Sequence, residues 1–310
     1  MKKYKVTLFG VKETTRIIAE HLYNSGINVD LIVSIDKSIV EKNVVSDYLD
    51  LASTAKLIHA EYYCAKDYKL NQLEDDFFQH NDFEIGLVYG WQRLIPEPII
   101  SKFSKGLFGF HASPDLLPKG RGRSPLNWGI LLGKTELYNH LFRYVSKADA
   151  GDIYSITKFD ILPHDTILTL LYKSLLIAKN ETLRLIEDIN VGPLKLTPQK
   201  GEPYFLPKRS PNDGLIHFDT SPTRDIINLI RSTTKPFPGA FCFTQQGKKL
   251  IIWDAWEFDK CIDFSRFQAG EVIDNLYNMP IIKTNDGSII LKNYEGGSLR
   301  PKDKLVSQQR

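Results

Sequence analysis

The order of apolar and polar positions predicts alternating strands and helices over the first two thirds of the chain. Residues 4–10 and 28–36 are typical of short buried strands, and residues 12–26 repeat at helical spacing up to Gly26. Strands that alternate with helices form a parallel sheet covered by helices on both faces. The fold class that we predict is therefore α/β with a mainly parallel sheet.

The same alternation continues as far as a long helix. Further strands are predicted at 55–60, 83–90, 107–112, 140–145 and 152–161. Further helices are predicted at 68–79, 96–105, 125–133 and 165–190. Pro96 and Pro125 would open two of these helices, because the first helical turn tolerates proline.

The pattern changes after about residue 190. Residues 191–214 carry five prolines and little periodicity, which is typical of a connector. A single helix at 221–233 then precedes short strands separated by turn residues, and this spacing predicts a small barrel-like β domain. A chain of 310 residues also favours two domains, which we place at residues 1–200 and 201–310.

Composition excludes several classes of protein. The net charge is +3, and 40 basic residues are interleaved with 37 acidic ones instead of forming a basic stripe, so we expect no nucleic-acid partner. We also expect a cytoplasmic protein without membrane contact, because neither a signal peptide nor a membrane-spanning apolar run is visible. Three scattered cysteines lack any C-x-x-C spacing, so we expect neither a metal site nor a disulfide.

The stretch LFGFHASPDLLPKGRG (107–122) joins an apolar strand to a loop of prolines, glycines and cations, with His111 between them. Ligands of parallel sheets bind at the carboxyl ends of the strands, where His111 would lie. The helix that Pro125 opens could offer free N–H groups nearby. The other six histidines have no such neighbours, and we expect them to be structural.

A second candidate segment is KADAGDIY (147–154), in which Asp149 and Asp152 bracket an Ala-Gly turn. Taken alone, this pattern indicates a structural Asx turn. If Asp149 lies near His111, however, its carboxylate would orient the imidazole and favour the protonated form. The sequence contains no nucleophile elbow, G-x-G-x-x-G or Walker pattern, so the residues predict a His–Asp acid–base site without a covalent nucleophile.

Several motifs, in their order along the chain, resemble those of the 10-formyltetrahydrofolate-dependent formyltransferases. HASPDLLPKGRG resembles the H-x-S-L-L-P-x-x-x-G signature, KADAGDI the D-x-G-D-I loop and VYGWQRLIP (88–96) the Y-G-x-x-L-P segment beside the folate site. DGLIHF and KPFPGAF resemble segments in the carboxyl-terminal domain of methionyl-tRNA and amino-sugar formyltransferases. The resemblance implies a Rossmann-like formyltransferase domain followed by a small β-rich domain.

The resemblance also implies roles for individual residues. His111 would bind the developing oxyanion or relay a proton, and Asp149 would orient His111 and accept the proton of the attacking amine. The implied co-substrate is 10-formyltetrahydrofolate, with no metal. The residues implied in its binding are Val88, Tyr89, Trp91, Arg93, Leu94, Val145 and Asp152.

The chain departs from the family pattern at two places. Gly109 stands where the family usually has asparagine, and losing such an oxyanion donor commonly costs about 3 kcal/mol of transition-state stabilisation. Asn127 is our candidate for a replacement catalytic donor, and Asn139 is a second candidate. An insertion, Pro114 and Asp115, lengthens the loop after His111 and could reshape the acceptor pocket.

The acceptor that we favour is a nucleotide-linked amino sugar, carried on UDP or dTDP. The implied sugar is a 4-amino-4,6-dideoxyhexose or the 4-amino-trideoxy-altrose precursor of pseudaminic acid. Cations could bind the diphosphate and an aromatic ring could stack on the base, the latter being Trp91, Tyr89 or Phe237. The residues that we assign to substrate binding are Lys119, Arg121, Arg123 and Phe237.

Three alternatives remain open at this point. The first is a methionyl-tRNA formyltransferase, and the second is a catalytically silent folate- or sugar-binding protein, motivated by Gly109. The third is a hydrolase that uses the same His–Asp pair on water to release formate. Dimers are common among sugar formyltransferases, so a homodimer is an assembly that the resemblance leaves open.

Overall fold

The computed structural model describes residues 1–43, 45, 47–71 and 74–308, which pack as two compact units. The first unit comprises Met1–Gly122, Tyr138–Phe159 and Lys173–Phe205. The second comprises Arg123–Leu137, Asp160–Tyr172 and the chain from Leu206 onward. The last change of unit thus falls close to residue 200, but two earlier segments also pack with the second unit. Our assignment of domains to residues 1–200 and 201–310 stays a prediction.

A seven-stranded sheet forms the centre of the first unit. Its strands are β1 Lys2–Phe9, β2 Leu31–Ser34, β3 Glu61–Cys64, β4 Asn81–Val88, β5 Phe103–Ser113, β7 Glu136–Arg143 and β8 Ile153–Asp160. They lie in the order β3-β2-β1-β4-β5-β7-β8. The first five strands pair in parallel, whereas β7 pairs antiparallel with β5. The predicted α/β class with a mainly parallel sheet is confirmed.

Helices cover both faces of this sheet. They are α1 Glu13–Asn24, α2 Lys37–Lys42, α3 Ala52–Leu57, α4 Asp75–Gln79, α5 Glu97–Ile100 and α7 Ile167–Val191. One apolar core joins Leu8 of β1 to Ile18 of α1 and Leu185 of α7. A second core is formed by other residues of the same strands, among them Phe9 of β1 and Phe103 of β5. Two cores on one sheet explain why its strands are nearly continuous apolar runs.

Some predicted elements were wrong. The segment 55–60 is not a strand, because Ala55 and Ile58 bury their side chains at helical spacing and most of it belongs to α3 or its end. The adjoining strand β3 was missed, since short apolar runs do not distinguish helix from strand. The helix predicted at 96–105 stops at Ile100, and β5 begins at Phe103. Of the helix predicted at 68–79 only α4 is helical, and residues 72 and 73 lie outside the described residues.

The second unit contains a six-stranded sheet whose pairings among β10–β15 are antiparallel. Its strands are β10 Ala240–Thr244, β11 Lys249–Glu257, β12 Val272–Leu276, β13 Met279–Lys283, β14 Ser288–Glu295 and β15 Leu305–Val306. The helices α6 Pro125–Leu131 and α8 Thr223–Thr233 also belong to this unit. Ile226 and Ile230 of α8 join the apolar core of the sheet, which confirms the predicted β-rich carboxyl-terminal region.

At the carboxyl edge of the parallel sheet, β5 extends beyond the end of its neighbour β4. The last residues paired between β4 and β5 are Val88 and Gly109, while β5 continues to Ser113 against β7 alone. Because β7 runs in the opposite direction and ends at Arg143, opposite Phe108, its outgoing loop starts at the same edge. His111 therefore lies inside β5, beyond the parallel sheet, and not at the tip of the strand as predicted. Among the residues that the structure describes, no helix is long and apolar enough to cross a bilayer.

Candidate active site

The backbone is tightly packed at Gly10, after β1, where the strand order reverses between β1 and β4. The crevice at such a reversal is the usual ligand position in an open parallel sheet. Here a Cβ on Gly10 would lie 2.2 Å from the carbonyl oxygen of Tyr89, and Thr15 donates its hydroxyl hydrogen to that oxygen at 2.5 Å. The chemistry-bearing residues lie instead beside the extension of β5.

His111 is a buried side chain held by the backbone of the loop that follows it. Its exposed fraction is 8%, and its Nε2 lies 2.9 Å from the carbonyl oxygen of Gly120. Gly120 belongs to β6, Lys119–Gly122, which pairs with β9, Tyr204–Leu206. A carbonyl only accepts, so Nε2 carries a proton in this arrangement and donates it to Gly120. The other ring nitrogen, Nδ1, faces a carboxylate.

That carboxylate is Asp149, in the connection between β7 and β8. Its Oδ1 lies 3.6 Å from Nδ1 of His111, and its Oδ2 accepts a hydrogen bond from the backbone N–H of Gly122 at 3.0 Å. Asp149 has a φ of 49°, in the left-handed region that aspartate tolerates better than most residues. The geometry thus brings together the two side chains that the sequence paired, with the β6 backbone bonding to both.

The arrangement is suited to moving a proton. His111 keeps its orientation through Gly120 whether or not Nδ1 is protonated, and a proton on Nδ1 would face the negative charge of Asp149. Ser113, two residues after His111, has a structural bond, because its hydroxyl donates to the carbonyl of Lys119. The site can therefore act as an acid–base pair on an external nucleophile.

Gln199 is a further site residue, which the sequence analysis missed. Its Nε2 donates to the carbonyl oxygens of Asp149 and Gly151, both at 2.8 Å, while its Oε1 accepts two hydrogen bonds from Arg121. Burial lowers the pKa of Arg121, and the charge of Asp149 opposes this effect. Gln199 lies in the proline-rich connector, where no periodicity or motif marks a functional position. It joins the Asp149 turn to β6.

His140 is a second histidine at the site, opposite His111 in the β5–β7 register. Its Nε2 accepts from the backbone N–H of Leu117 at 3.3 Å, so its Nδ1 carries the proton and donates to the carbonyl oxygen of His111 at 3.3 Å. Burial, followed by the charge of His111, lowers the pKa of His140 to about 4. This neutral histidine ties β5 to the loop after it. Sequence alone could not show it, because strand pairing decides which residue faces His111.

The residues implied in folate binding fall into two groups. The side chains of Val88, Tyr89 and Trp91 pack in the cores of the first unit, and the Tyr89 hydroxyl lies 2.5 Å from that of Thr182. We therefore correct the suggestion that Trp91 or Tyr89 stacks on a base, since neither ring is presented at the surface. Their binding role remains a prediction that concerns the backbone. The other group is surface-accessible to differing degrees and comprises Arg93, Leu94, Val145 and Asp152.

The residues assigned to the acceptor are divided between the two units. Lys119 and Arg121 belong to β6 in the first unit, and Lys119 is exposed. Arg123 and Phe237 belong to the second unit, where Arg123 is exposed and Phe237 is half-buried. Their role in binding stays a prediction.

The two asparagines that could replace the donor missing at Gly109 both bond to other parts of the chain. Asn127, in the second unit, donates its Nδ2 hydrogen to the carbonyl oxygen of Ser232 at 2.6 Å. Asn139 donates to the carbonyl oxygen of Ser174 and accepts from its hydroxyl. These bonds favour structural roles, and Asn127 as an oxyanion donor stays a prediction without support from its contacts. Within the described part of the chain, no cluster of three His, Cys, Asp or Glu residues could hold a metal ion.

Two family models match the chain. The model described as "Formyl transferase" matches residues 9–185, and the model described as "Formyl transferase, C-terminal domain" matches residues 208–301. The first match alone covers more than half of the chain and includes both His111 and Asp149.

Similar solved structures have low sequence identity to this chain. HypX from Aquifex aeolicus, in complex with tetrahydrofolic acid, is 16% identical with a TM-score of 0.66; the match covers 94% of this chain, which spans only 44% of HypX. An N-formyltransferase from Helicobacter canadensis, in complex with folinic acid and dTDP-3-aminofucose, is 15% identical with a TM-score of 0.64. The match covers 93% of this chain and 98% of that chain. Methionyl-tRNA formyltransferase from Clostridium thermocellum is 18% identical with a TM-score of 0.56. That match covers 83% of this chain and 94% of the other. At these identities the likeness concerns the fold.

Proposed function

Because the chain belongs to the formyl transferase family and is a formyltransferase, we propose that it transfers the formyl group of 10-formyltetrahydrofolate to the amine of a nucleotide-linked amino-deoxy sugar. The observation that carries this proposal is the His111–Asp149 pair, held through Gly120 and Gly122. An acid–base pair without its own nucleophile suits a reaction in which the acceptor amine is the nucleophile.

In this reaction the amine nitrogen attacks the formyl carbon, and a C–N bond forms. The tetrahedral intermediate collapses when the bond from the formyl carbon to N10 of the folate breaks. One amine proton must leave and one proton must reach N10, so the transfer is balanced without an outside acid or base. Asp149 accepts the amine proton, and His111 stabilises the oxyanion or relays a proton at Nδ1, because its Nε2 stays bonded to Gly120.

The donor would bind beside the loop after β4, near Arg93, Leu94 and Val145. The folate supplies a formyl group on a nitrogen that becomes a good leaving group once it is protonated. The residues of the chain supply position and proton transfer: Gly120 orients the buried His111, and Gln199 holds the Asp149 turn.

Charge supports a sugar nucleotide over a nucleic acid as the acceptor. A diphosphate needs only a few cations, and Lys119 and Arg121 stand on the same short strand as the Gly120 carbonyl that binds His111. The chain carries nearly as many acidic as basic residues, which gives little attraction for a polyanion. A solved relative in fold holds a dTDP-linked amino sugar. Within this class we favour a 4-amino sugar of the pseudaminic acid type, and we propose a cytoplasmic protein that could assemble as a homodimer.

A product assay tests this proposal. The purified protein would be incubated with 10-formyltetrahydrofolate and a panel of UDP- and dTDP-linked amino sugars, with initiator methionyl-tRNA as a comparison. Mass spectrometry should detect one added formyl group on a sugar nucleotide. Formyl-methionyl-tRNA as the sole product would assign the protein to translation, and formate released without any amine would indicate a hydrolase.

A further inference from the structure

The space beside Gly109 contains an aromatic ring. Gly109 precedes His111 by two residues on β5, so both positions point to the same face of the strand. A Cβ on Gly109 would lie only 2.9 Å from Cδ2 of Tyr144 and 3.3 Å from Cζ of Phe142. Any side chain at position 109 would therefore collide with the Tyr144 ring. Glycine at this position is what allows the Tyr144 ring to lie against β5 two residues before His111.

Tyr144 also bonds to the loop after β4. Its backbone N–H donates to the carbonyl oxygen of Leu107 at 2.6 Å, so the residue is anchored next to β5. Its hydroxyl donates to the carbonyl oxygen of Arg93 at 3.4 Å, which is long for an O–H donor. Burial, and then the charge of Asp149, raises the pKa of Tyr144 to about 12, so the hydroxyl keeps its proton at neutral pH. The ring thus extends from Gly109 to the loop after β4, where its hydroxyl bonds to the backbone of both Arg93 and Ile95.

We propose that the Tyr144 ring occupies part of the formyl-donor site beside Gly109, and that its displacement limits how tightly the donor binds. The inference rests on the proposed function, because it places the donor against the Arg93 loop. Tyr144 extends from this loop, at Arg93, to Gly109, two residues before His111, so a donor bound there would compete with its ring for space. The apparent dissociation constant is then the intrinsic constant divided by the fraction of molecules whose ring has moved away.

Folinic acid, a stable formyl folate, is the probe for the binding test by calorimetry. Tyr144→Val should bind it about tenfold more tightly than the wild type, because the ring no longer has to move. Tyr144→Phe should bind with a smaller gain, since it keeps the ring and loses only the hydroxyl bonds to the backbone of Arg93 and Ile95. Tyr172→Val removes an exposed tyrosine, 65% accessible on α7, and should leave the dissociation constant unchanged. Unchanged or weaker binding by Tyr144→Val, or no binding by any variant, would overturn the proposal.

A double-mutant cycle tests the packing without any ligand. Gly109→Asn should lower the melting temperature of the wild type by several degrees, and should lower that of Tyr144→Val less, because the nearer of the two rings is then absent and only Phe142 remains close. Additive effects would refute the assignment of Tyr144 to this space.

The two proposals can fail separately. Formyl transfer by the wild type, together with unaltered folinic acid binding by Tyr144→Val, excludes a role of Tyr144 in donor affinity and retains the proposed function. Tighter binding by Tyr144→Val, without formyl transfer to any amino sugar, would retain the role of Tyr144 in binding and refute the proposed function.

Discussion

At the scale of single residues, hydrogen bonds to the backbone decide what His111 and Asp149 can do. Gly120 accepts from one nitrogen of His111, and Gly122 donates to one oxygen of Asp149. The facing atoms, Nδ1 and Oδ1, are left 3.6 Å apart. Each side chain therefore has one atom committed to structure and one available for chemistry.

Asp149→Asn should reduce kcat by at least about a hundredfold with little effect on the KM of the acceptor, because the amide keeps an acceptor for Gly122 and loses the base. Steady-state kinetics on the formylated sugar would measure both constants. Asp219→Asn, an exposed substitution in the second unit, serves as the control. Turnover equal to that of the wild type would remove Asp149 from the mechanism.

Gln199 should behave as a positioning residue. Gln199→Glu can still accept from Arg121 but cannot donate to the carbonyls of Asp149 and Gly151, so we expect it to lose stability by about 2 kcal/mol. Its kcat should fall while the KM of the acceptor changes little, because the Asp149 turn is no longer held. Chemical unfolding and kinetics on Gln199→Glu and Gln199→Ala would test this. If the glutamate variant matches the wild type, the bonds to the two carbonyls are irrelevant.

His140 should make stability dependent on pH. Its pKa is about 4 in the folded chain and about 6.5 when unfolded, so between these values the unfolded state binds a proton that the folded state does not. Stability should therefore fall as the pH drops through this window, by about 3 kcal/mol in all. Urea unfolding at the two ends of the window should show this loss in the wild type. A loss of the same size in His140→Gln would assign it to other groups.

At the scale of elements, the connection from β7 to β8, which contains Asp149, brings the backbone of Gly151 very close to that of Arg143. A Cβ on Gly151 would lie 1.6 Å from the carbonyl oxygen of Arg143, so no other residue fits there without moving the backbone. The Arg143 N–H also donates to the carbonyl of Asp152 at 2.8 Å, which closes the turn. The glycine in the D-A-G-D motif is thus required by the shape of the connection.

Gly151→Ala should destabilise the protein by at least about 3 kcal/mol, because the methyl group must displace backbone atoms. Gly192→Ala is the matched control, since a Cβ at that position meets no atom within 4 Å. Its free energy of unfolding should change by less than about 1 kcal/mol. Equal stability of the two variants in thermal unfolding would contradict the geometry.

At the scale of the whole molecule, interleaved charges set the response to salt. An amino-sugar nucleotide meets only a few cations, so its KM should change less than about tenfold between about 50 and 200 mM salt. A nucleic-acid acceptor that releases many counterions would lose about a thousandfold or more over the same range. Kinetics at the two salt concentrations would distinguish these acceptors, and a steep loss with the sugar would contradict our interpretation of the charge pattern.

The sequence alone determined the alternation of strands and helices, the β-rich second part and the candidate pair His111 and Asp149. These features depend on local periodicity and on short motifs, which can be recognised in the sequence without knowledge of the fold. Errors such as the strand predicted at 55–60 arose where a short apolar run fits either secondary structure.

Only the tertiary structure decided which groups surround this pair. His140 faces His111 through strand pairing across 29 residues, and Gln199 reaches the Asp149 backbone across 50. The contact between Gly109 and Tyr144 likewise depends on the register of β5 with β7. Such contacts follow from how distant segments pack, and the spacing of residues along the sequence contains no signal for them.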